Sequence, residues 1–245
     1  MENKDLLINL FSAKAKLNSF EILGLFARQN VVISLGSDSK LIGRIFELLT
    51  FNILEDICRT LNWRLEETES QTVYPDFTIF TPNGKIAVDV KTTYRKYTNN
   101  NQISPYNFTL GSYASFLRNG TKNIAYHYNE YIKHYVIGFV YDRVNGTRPG
   151  TINSIYDQIL PPYRNVEYFM QEKYKIAGDK PGSGNTENIG TFKSSNINDF
   201  INGNGPFSTL GNSVFEDYWR NYPKYRENDI KFRNLQEYFV YKQTH

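Results

Sequence analysis

Cysteine occurs once, at Cys58, and histidine three times, at His127, His134 and His245. A lone thiol cannot close a disulfide within the chain, which fits a reducing compartment. No histidine stands at zinc-ligand spacing from a cysteine or glutamate, so a transition-metal centre is not expected. Cys58 reads as a core thiol and His134, at the start of an apolar strand, as structural. Long apolar runs are missing. Mean hydropathy is −0.52, and no stretch is long enough to span a bilayer. The opening MENKDLLINLFSAK has charge on both sides of a very short apolar run and lacks a signal-peptide core. The expected location is therefore the cytoplasm, with no membrane partner. There is no internal repeat, P-loop, nucleophile elbow or dinucleotide fingerprint. An excess of either charge is also missing: the net charge is +3, only a weak pointer to nucleic acid.

What is present is apolar and aromatic. Over 245 residues, 40% are hydrophobic, enough for one large core or two small ones. Nineteen tyrosines and seventeen phenylalanines dominate the aromatic fraction; tyrosine, asparagine and arginine suit wet polar interfaces such as DNA grooves, but composition alone favours an ordinary chain from an AT-rich genome. Residues 37–62 read as an amphipathic helix. Ser37, Asp38 and Ser39 are its N-cap candidates, and Leu41, Ile45, Leu48 and Ile57 recur at helical spacing. Lys40, Arg44 and Glu47 share another face. A short strand at 63–70, a hairpin at 76–92, a possible helix at 112–119, a buried strand at 134–142 and a strand at 166–178 follow. Residues 96–107 and the Gly/Asn-rich 178–190 read as loops. Helices and strands are mixed and no linker divides them, so the class is α/β or α+β in a single domain over 1–245.

The hairpin carries the chemistry. In YPDFTIFTPNGKIAVDVKTTY, residues 74–94, Ala87, Asp89 and Lys91 alternate onto one strand face, and Ile86, Val88 and Val90 onto the other. With Asn83-Gly84 at the tip, Pro82 pairs with Lys85, Asp76 falls opposite Lys91, and Thr78 opposite Asp89. Asp76, Asp89 and Lys91 then converge, with the two aspartates diagonal neighbours. Paired carboxylates repel unless a proton or cation intervenes. Oxygen-only ligands favour Mg²⁺, and a lysine beside them can orient water or stabilise charge on phosphate. Together they can perform metal-assisted phosphodiester hydrolysis. The plain alternative is three surface charges on a half-exposed strand.

These residues, with LGSDSKLIGRIFELL (35–49), FTLGSYASFLRNGTKNI (108–124), IAGDKPGSGNTENIG (176–190) and DYWRNY (217–222), resemble the EcoRV-type family of type II restriction endonucleases, within the PD-(D/E)xK nuclease superfamily. The resemblance runs in order along most of the chain. It implies a restriction-endonuclease-like fold, with a central mixed sheet flanked by helices, and a U-shaped homodimer around double-stranded DNA. It also implies Mg²⁺-dependent cleavage of a palindrome, with Mn²⁺ able to substitute. GATATC would be cut at its centre to leave blunt ends with 5′-phosphates. The implied catalytic residues are Asp76, Asp89, Lys91 and Glu47, with Asp76, Asp89 and Glu47 on the metal. Gly182, Ser183, Gly184, Asn185 and Thr186 resemble the base-reading loop. Lys40, Gln71, Thr92, Thr93, Ser115, Lys122 and Arg143 match positions that touch or steer DNA. Residues 15–36 and 144–165 would form the dimerisation part and the rest the DNA-binding and catalytic part. A companion DNA methyltransferase in a bacterial host is a further implied partner.

The chain departs from the family pattern at two places. The Gln-Gln-Asn run before the Pro-Asp pair reads Ser70-Gln71-Thr72 here, and Ala114 replaces a threonine beside Ser115. In the base-reading loop, Gly182 and Gly184 allow close backbone approach and positive φ, and Asn185 can make a two-point contact with adenine. In the aromatic, basic tail, Tyr218, Trp219 and Phe239 would pack a helix while Arg220 could reach phosphate. Two alternatives stand beside the restriction reading: a structure- or damage-directed repair nuclease on the same fold, and a non-catalytic DNA-binding module.

Overall fold

Two long strands are buried on both faces, and that places them at the centre of the molecule. The computed structural model describes residues 5–28, 30–70, 72–146, 148–153, 159–183, 187–224, 227 and 230–244. In it β5 (Gly84–Tyr94) and β7 (Tyr131–Arg143) run parallel, from Lys85 beside Tyr131 to Tyr94 beside Tyr141. Antiparallel β4 (Phe77–Thr81) and β3 (Arg64–Glu67) extend the sheet on one side and β9 (Tyr163–Glu172) on the other. The order is β3-β4-β5-β7-β9. This mixed sheet with flanking helices is the α/β class expected.

Each face of the sheet has its own core. On one, α1 (Leu6–Ala15) and α2 (Ser39–Leu61) bring Phe11, Phe46 and Ile57 against Val88, Ile137 and Phe139. Phe46 stacks on Phe139 at 4.4 Å. On the other, Ala87, Val136 and Phe169 meet Phe108, Phe200 and Trp219. That layer contains β6 (Thr109–Ser112), α4 (Ile197–Asn202) and α5 (Asn212–Asn221). Of the three cap candidates, Asp38 caps α2: its Oδ1 accepts from the N–H groups of Lys40 and Leu41. The apolar stripe is not the one expected. Leu41 and Leu48 are exposed, whereas Ile42, Ile45, Phe46, Ile53, Leu54 and Ile57 are buried. Two adjacent stripes satisfy the helical period, and the sheet takes the one that carries the phenylalanine.

Four further expectations change. The hairpin tip is Pro82-Asn83: Thr81 pairs with Gly84 and Phe77 with Val88. Pro82 has no N–H to give to a ladder, so it sits in the turn, and the pairing moves by two residues. The strand expected over 166–178 is interrupted by one helical turn, α3 (Lys173–Ile176), before β10 (Ala177–Ser183). β10 and β11 (Asn188–Thr191) pair as a ribbon where a loop was expected. Residues 184–186 lie outside the described residues. In α6 (Leu235–Thr244) Phe239 is exposed and Tyr238 takes the inward place.

A small separate sheet joins β1 (Leu25–Ala27), β2 (Val31–Ile33) and β8 (Ile152–Asn153). Leu23, Leu25, Phe26, Ile152 and Leu160 on and beside it are exposed. Among the described residues, no helix is long and apolar enough to cross a membrane.

Candidate active site

The corrected register brings the two aspartates together directly. One step beyond the Phe77–Val88 pair, Asp76 comes opposite Asp89. A shift of two residues preserves the face, so Lys91 stays on the same side. Asp76 Oδ2 accepts a 2.6 Å hydrogen bond from the Val90 N–H, which anchors the carboxylate to the neighbouring strand. The Lys91 Nζ lies 2.7 Å from Asp89 Oδ2. Asp89 is 3% exposed, which excludes the reading of surface charges on a half-exposed strand. The three line a cleft of about 430 Å³ with Thr72, Ser112, Ser115, Lys122, Glu187 and Asn188.

Burial sets the electrostatics. Desolvation, then repulsion from Asp89, pushes the Asp76 carboxyl up to about 8, against the pull of Lys91 and the Val90 N–H. Desolvation works to lower the Lys91 ammonium, but Asp89 and Asp76 outweigh it and carry Lys91 above its ordinary value. Lys91 is therefore an ammonium at neutral pH. Asp89 Oδ2 is buried and, among the described residues, receives no aligned hydrogen bond, so the 2.7 Å approach of Lys91 is an ion contact. A carboxylate pair that retains a proton at neutral pH, with one buried oxygen lacking a hydrogen bond, is a site short of positive charge. Two hard oxygen ligands suit Mg²⁺, which keeps several waters and takes only one or two protein carboxylates. Among the described residues no group of three acids, histidines or cysteines surrounds a possible metal position.

Glu47 stands one layer out. Arg44 holds it at 2.9 Å and also pairs with Glu67 at 2.7 Å. It borders a smaller recess with Asp76 and reaches the pair through its field alone. A charged neighbour escaped the sequence reading. Lys173 is 2% exposed and lies over Tyr74, which lines the cleft with both aspartates. No motif marks it, and alternation along an expected strand did not separate it from the surface lysines.

The residues expected to meet DNA divide by position. Ser115 and Lys122 line the cleft, and Ser115 Oγ donates to the Lys122 carbonyl. Thr92 and Thr93 continue β5 beyond Lys91, Lys40 is exposed in the first turn of α2, and Arg143 lies 3.7 Å over the Tyr94 ring. Arg220 is engaged within the fold, donating to the Leu117 carbonyl and to Glu216. Gln71, Gly184, Asn185 and Thr186 lie outside the described residues, as does the Ser183 side chain. Gly182 does not adopt positive φ. It is glycine because Gly190 packs on it: an added Cβ would come 2.9 Å from the Gly190 Cα. Of the three positions where the chain departs from the family pattern, Thr72 and Ala114 border the cleft and Ser70 borders the smaller recess.

The family model for restriction endonuclease EcoRV matches residues 16–243. The type II restriction enzyme EcoRV of Escherichia coli is 40% identical over 243 residues, covering 96% of this chain and 94% of that protein. The solved NlaIV restriction endonuclease superposes with a TM-score of 0.42 at 12% identity, over 96% of this chain and 94% of that one.

The raised Asp76 carboxyl has a consequence for stability. On unfolding it returns to its ordinary 3.8 from about 8, so between those values the folded chain holds the extra proton. Stability of the cation-free protein should then fall as pH rises through that window, and Asp76→Asn should flatten the fall. Denaturant midpoints over roughly pH 5 to 9 check it. An equal slope in the variant would show that Asp76 ionises freely.

Proposed function

The chain belongs to the EcoRV family of type II restriction endonucleases, and from that premise we propose that it hydrolyses both strands of GATATC at the centre, with Mg²⁺, leaving blunt ends and 5′-phosphates. The observation that carries this reading is the shared cleft. Asp76, Asp89 and Lys91 line it, and Glu187 and Asn188, beside the Ser183–Asn188 pair that ends the described β10–β11 ribbon, border the same space. Of the residues that resemble the base-reading loop, Gly182 lies in β10 and packs on Gly190 of that ribbon. Base readout would then take place beside the residues that break the bond.

Asp76 and Asp89 would hold Mg²⁺, or Mn²⁺ in its place. When bound, the ion supplies charge neutralisation at the phosphate and a more acidic water. Asp76 gives up its proton to serve as a ligand. Lys91, kept as an ammonium by the two aspartates, is poorly suited to take a proton. It orients the attacking water and stabilises charge developing on the phosphoryl oxygens. Glu47 is an accessory acid at the rim, tied to Arg44. Lys40, Gln71, Thr92, Thr93, Ser115, Lys122 and Arg143 position the duplex backbone, and phosphate contact by Arg220 would require it to leave Glu216. Gly182, Ser183, Gly184, Asn185 and Thr186 read the bases. The central TA step unstacks easily, so bending it brings the scissile phosphate to the aspartates at the cognate site.

A two-fold protein on a two-fold site cuts both strands. The five exposed apolar residues on and beside the small sheet form a surface that a second copy would cover, within the expected dimerisation segments 15–36 and 144–165. The enzyme would work in the bacterial cytoplasm beside a methyltransferase that protects the host's own sites.

A plasmid of known sequence, digested with purified protein and Mg²⁺ and end-sequenced, tests the proposal. Blunt ends inside GATATC are expected, and Asp89→Ala and Lys91→Ala should fold but not cut. Discrete ends at another palindrome would keep the chemistry and reassign specificity to Ser70, Thr72 and the diverged loops. A second prediction concerns the residues that resemble the base-reading loop: Asn185→Ala should weaken cognate binding by about 1–3 kcal/mol. Cleavage and binding at wild-type level would remove Asn185 from base readout.

A further inference from the structure

One buried cation has no role in the chemistry described above. α3 turns Lys173 inward, while its neighbour Lys175 pairs with Glu172 at 2.7 Å near the surface. The Lys173 Nζ is buried without a hydrogen-bond partner among the described residues. It sits 4.0 Å over the Tyr74 ring and 4.9 Å from that of Phe116, two rings stacked at 4.2 Å. Burying an ammonium costs far more than a ring contact returns. A methionine would fill the same seat at no such cost, so packing does not account for the charge.

The groups around Lys173 do account for it. Burial draws its ammonium down to about 7, Asp89 and Asp76 draw it up, and Lys91 opposes them. His134 is no rival cation. Burial first, then Lys173 and Arg220, hold its imidazole well below its ordinary value, and its Nδ1 is 2.8 Å from the Tyr74 hydroxyl. Tyr74 directly precedes Pro75 and Asp76 in the chain. The ring that seats the ammonium therefore belongs to the segment that presents the first aspartate.

We propose that Lys173 is a positioning residue of the catalytic centre: seated over Tyr74 and Phe116, it is the second positive charge of the Asp76–Asp89–Lys91 group and holds the two carboxylates in their facing arrangement. Lys91 makes the close contact with Asp89 and faces the cleft. Lys173 acts from behind through the field, and touches neither substrate nor ion. Its effect on cleavage rests on the nuclease reading, but its link to Asp89 does not.

Two measurements separate these parts. The first is a double-mutant cycle in unfolding stability between Lys173→Met and Asp89→Asn, at about pH 6 where the ammonium is charged. The expected result is a coupling of at least about fivefold in the unfolding constant, Lys173→Met being less harmful once Asp89 is neutral. Additive effects would overturn the proposal. The second is plasmid cleavage at saturating DNA. Lys173→Met should lose at least about tenfold in kcat with KM for the duplex unchanged, and Lys173→Arg should regain part of it. Wild-type kcat in the methionine variant would also overturn the proposal. Should the methionine variant fail to fold, Lys173→Gln replaces it in both measurements, read by the same criteria. If the wild-type chain cuts no duplex, the nuclease reading falls and the cycle alone decides whether Lys173 serves the carboxylates.

Discussion

The repulsion between Asp76 and Asp89 is the interaction on which the rest of the site depends. The Phe77–Val88 end of the ladder brings them into one cleft, and desolvation there penalises a second negative charge. The fold tolerates this through compensating groups, among them the Val90 N–H on Asp76, the Lys91 ammonium on Asp89, and a proton retained on Asp76. Every one of these is what a divalent cation would replace or reinforce. The rigidity of the central sheet, locked between two aromatic layers, is what prevents the pair from relaxing apart.

The same packing links the site to the ribbon. Gly182 and Gly190 bring β10 and β11 into close contact, and β11 pairs in turn with β6, which leads into the turn carrying Ser115. The ribbon and the segment that carries Ser115 are therefore one hydrogen-bonded unit. α3 joins that unit to β9 of the central sheet. A displacement of the ribbon by bound DNA has a short covalent and packed route to the carboxylates.

Much of this was legible in the residues. Alternation along residues 84–94 placed Asp89 and Lys91 on one face because strand period is insensitive to a two-residue slip. The slip itself was invisible, since Pro82-Asn83 and Asn83-Gly84 both read as turn chemistry and only the missing proline N–H separates them. The helix over 39–61 was evident from its cap and period, but which stripe faced inward was decided by the sheet. Lys173 was hidden because a charged residue in an expected strand looks solvated, and only the helical turn at 173–176 directs it inward. The ribbon at 177–191 was masked by glycine and asparagine, which signal loops far more often than strands.

The central claim is that the facing aspartates, and not the outer acids, form the cation site. Crystals grown with Mn²⁺ and measured for anomalous scattering test it most directly. The account predicts a peak at about 2.1 Å from one carboxylate oxygen of Asp76 and one of Asp89. A peak held by Glu47 and Glu67, with the Asp76–Asp89 pair bare, would contradict it.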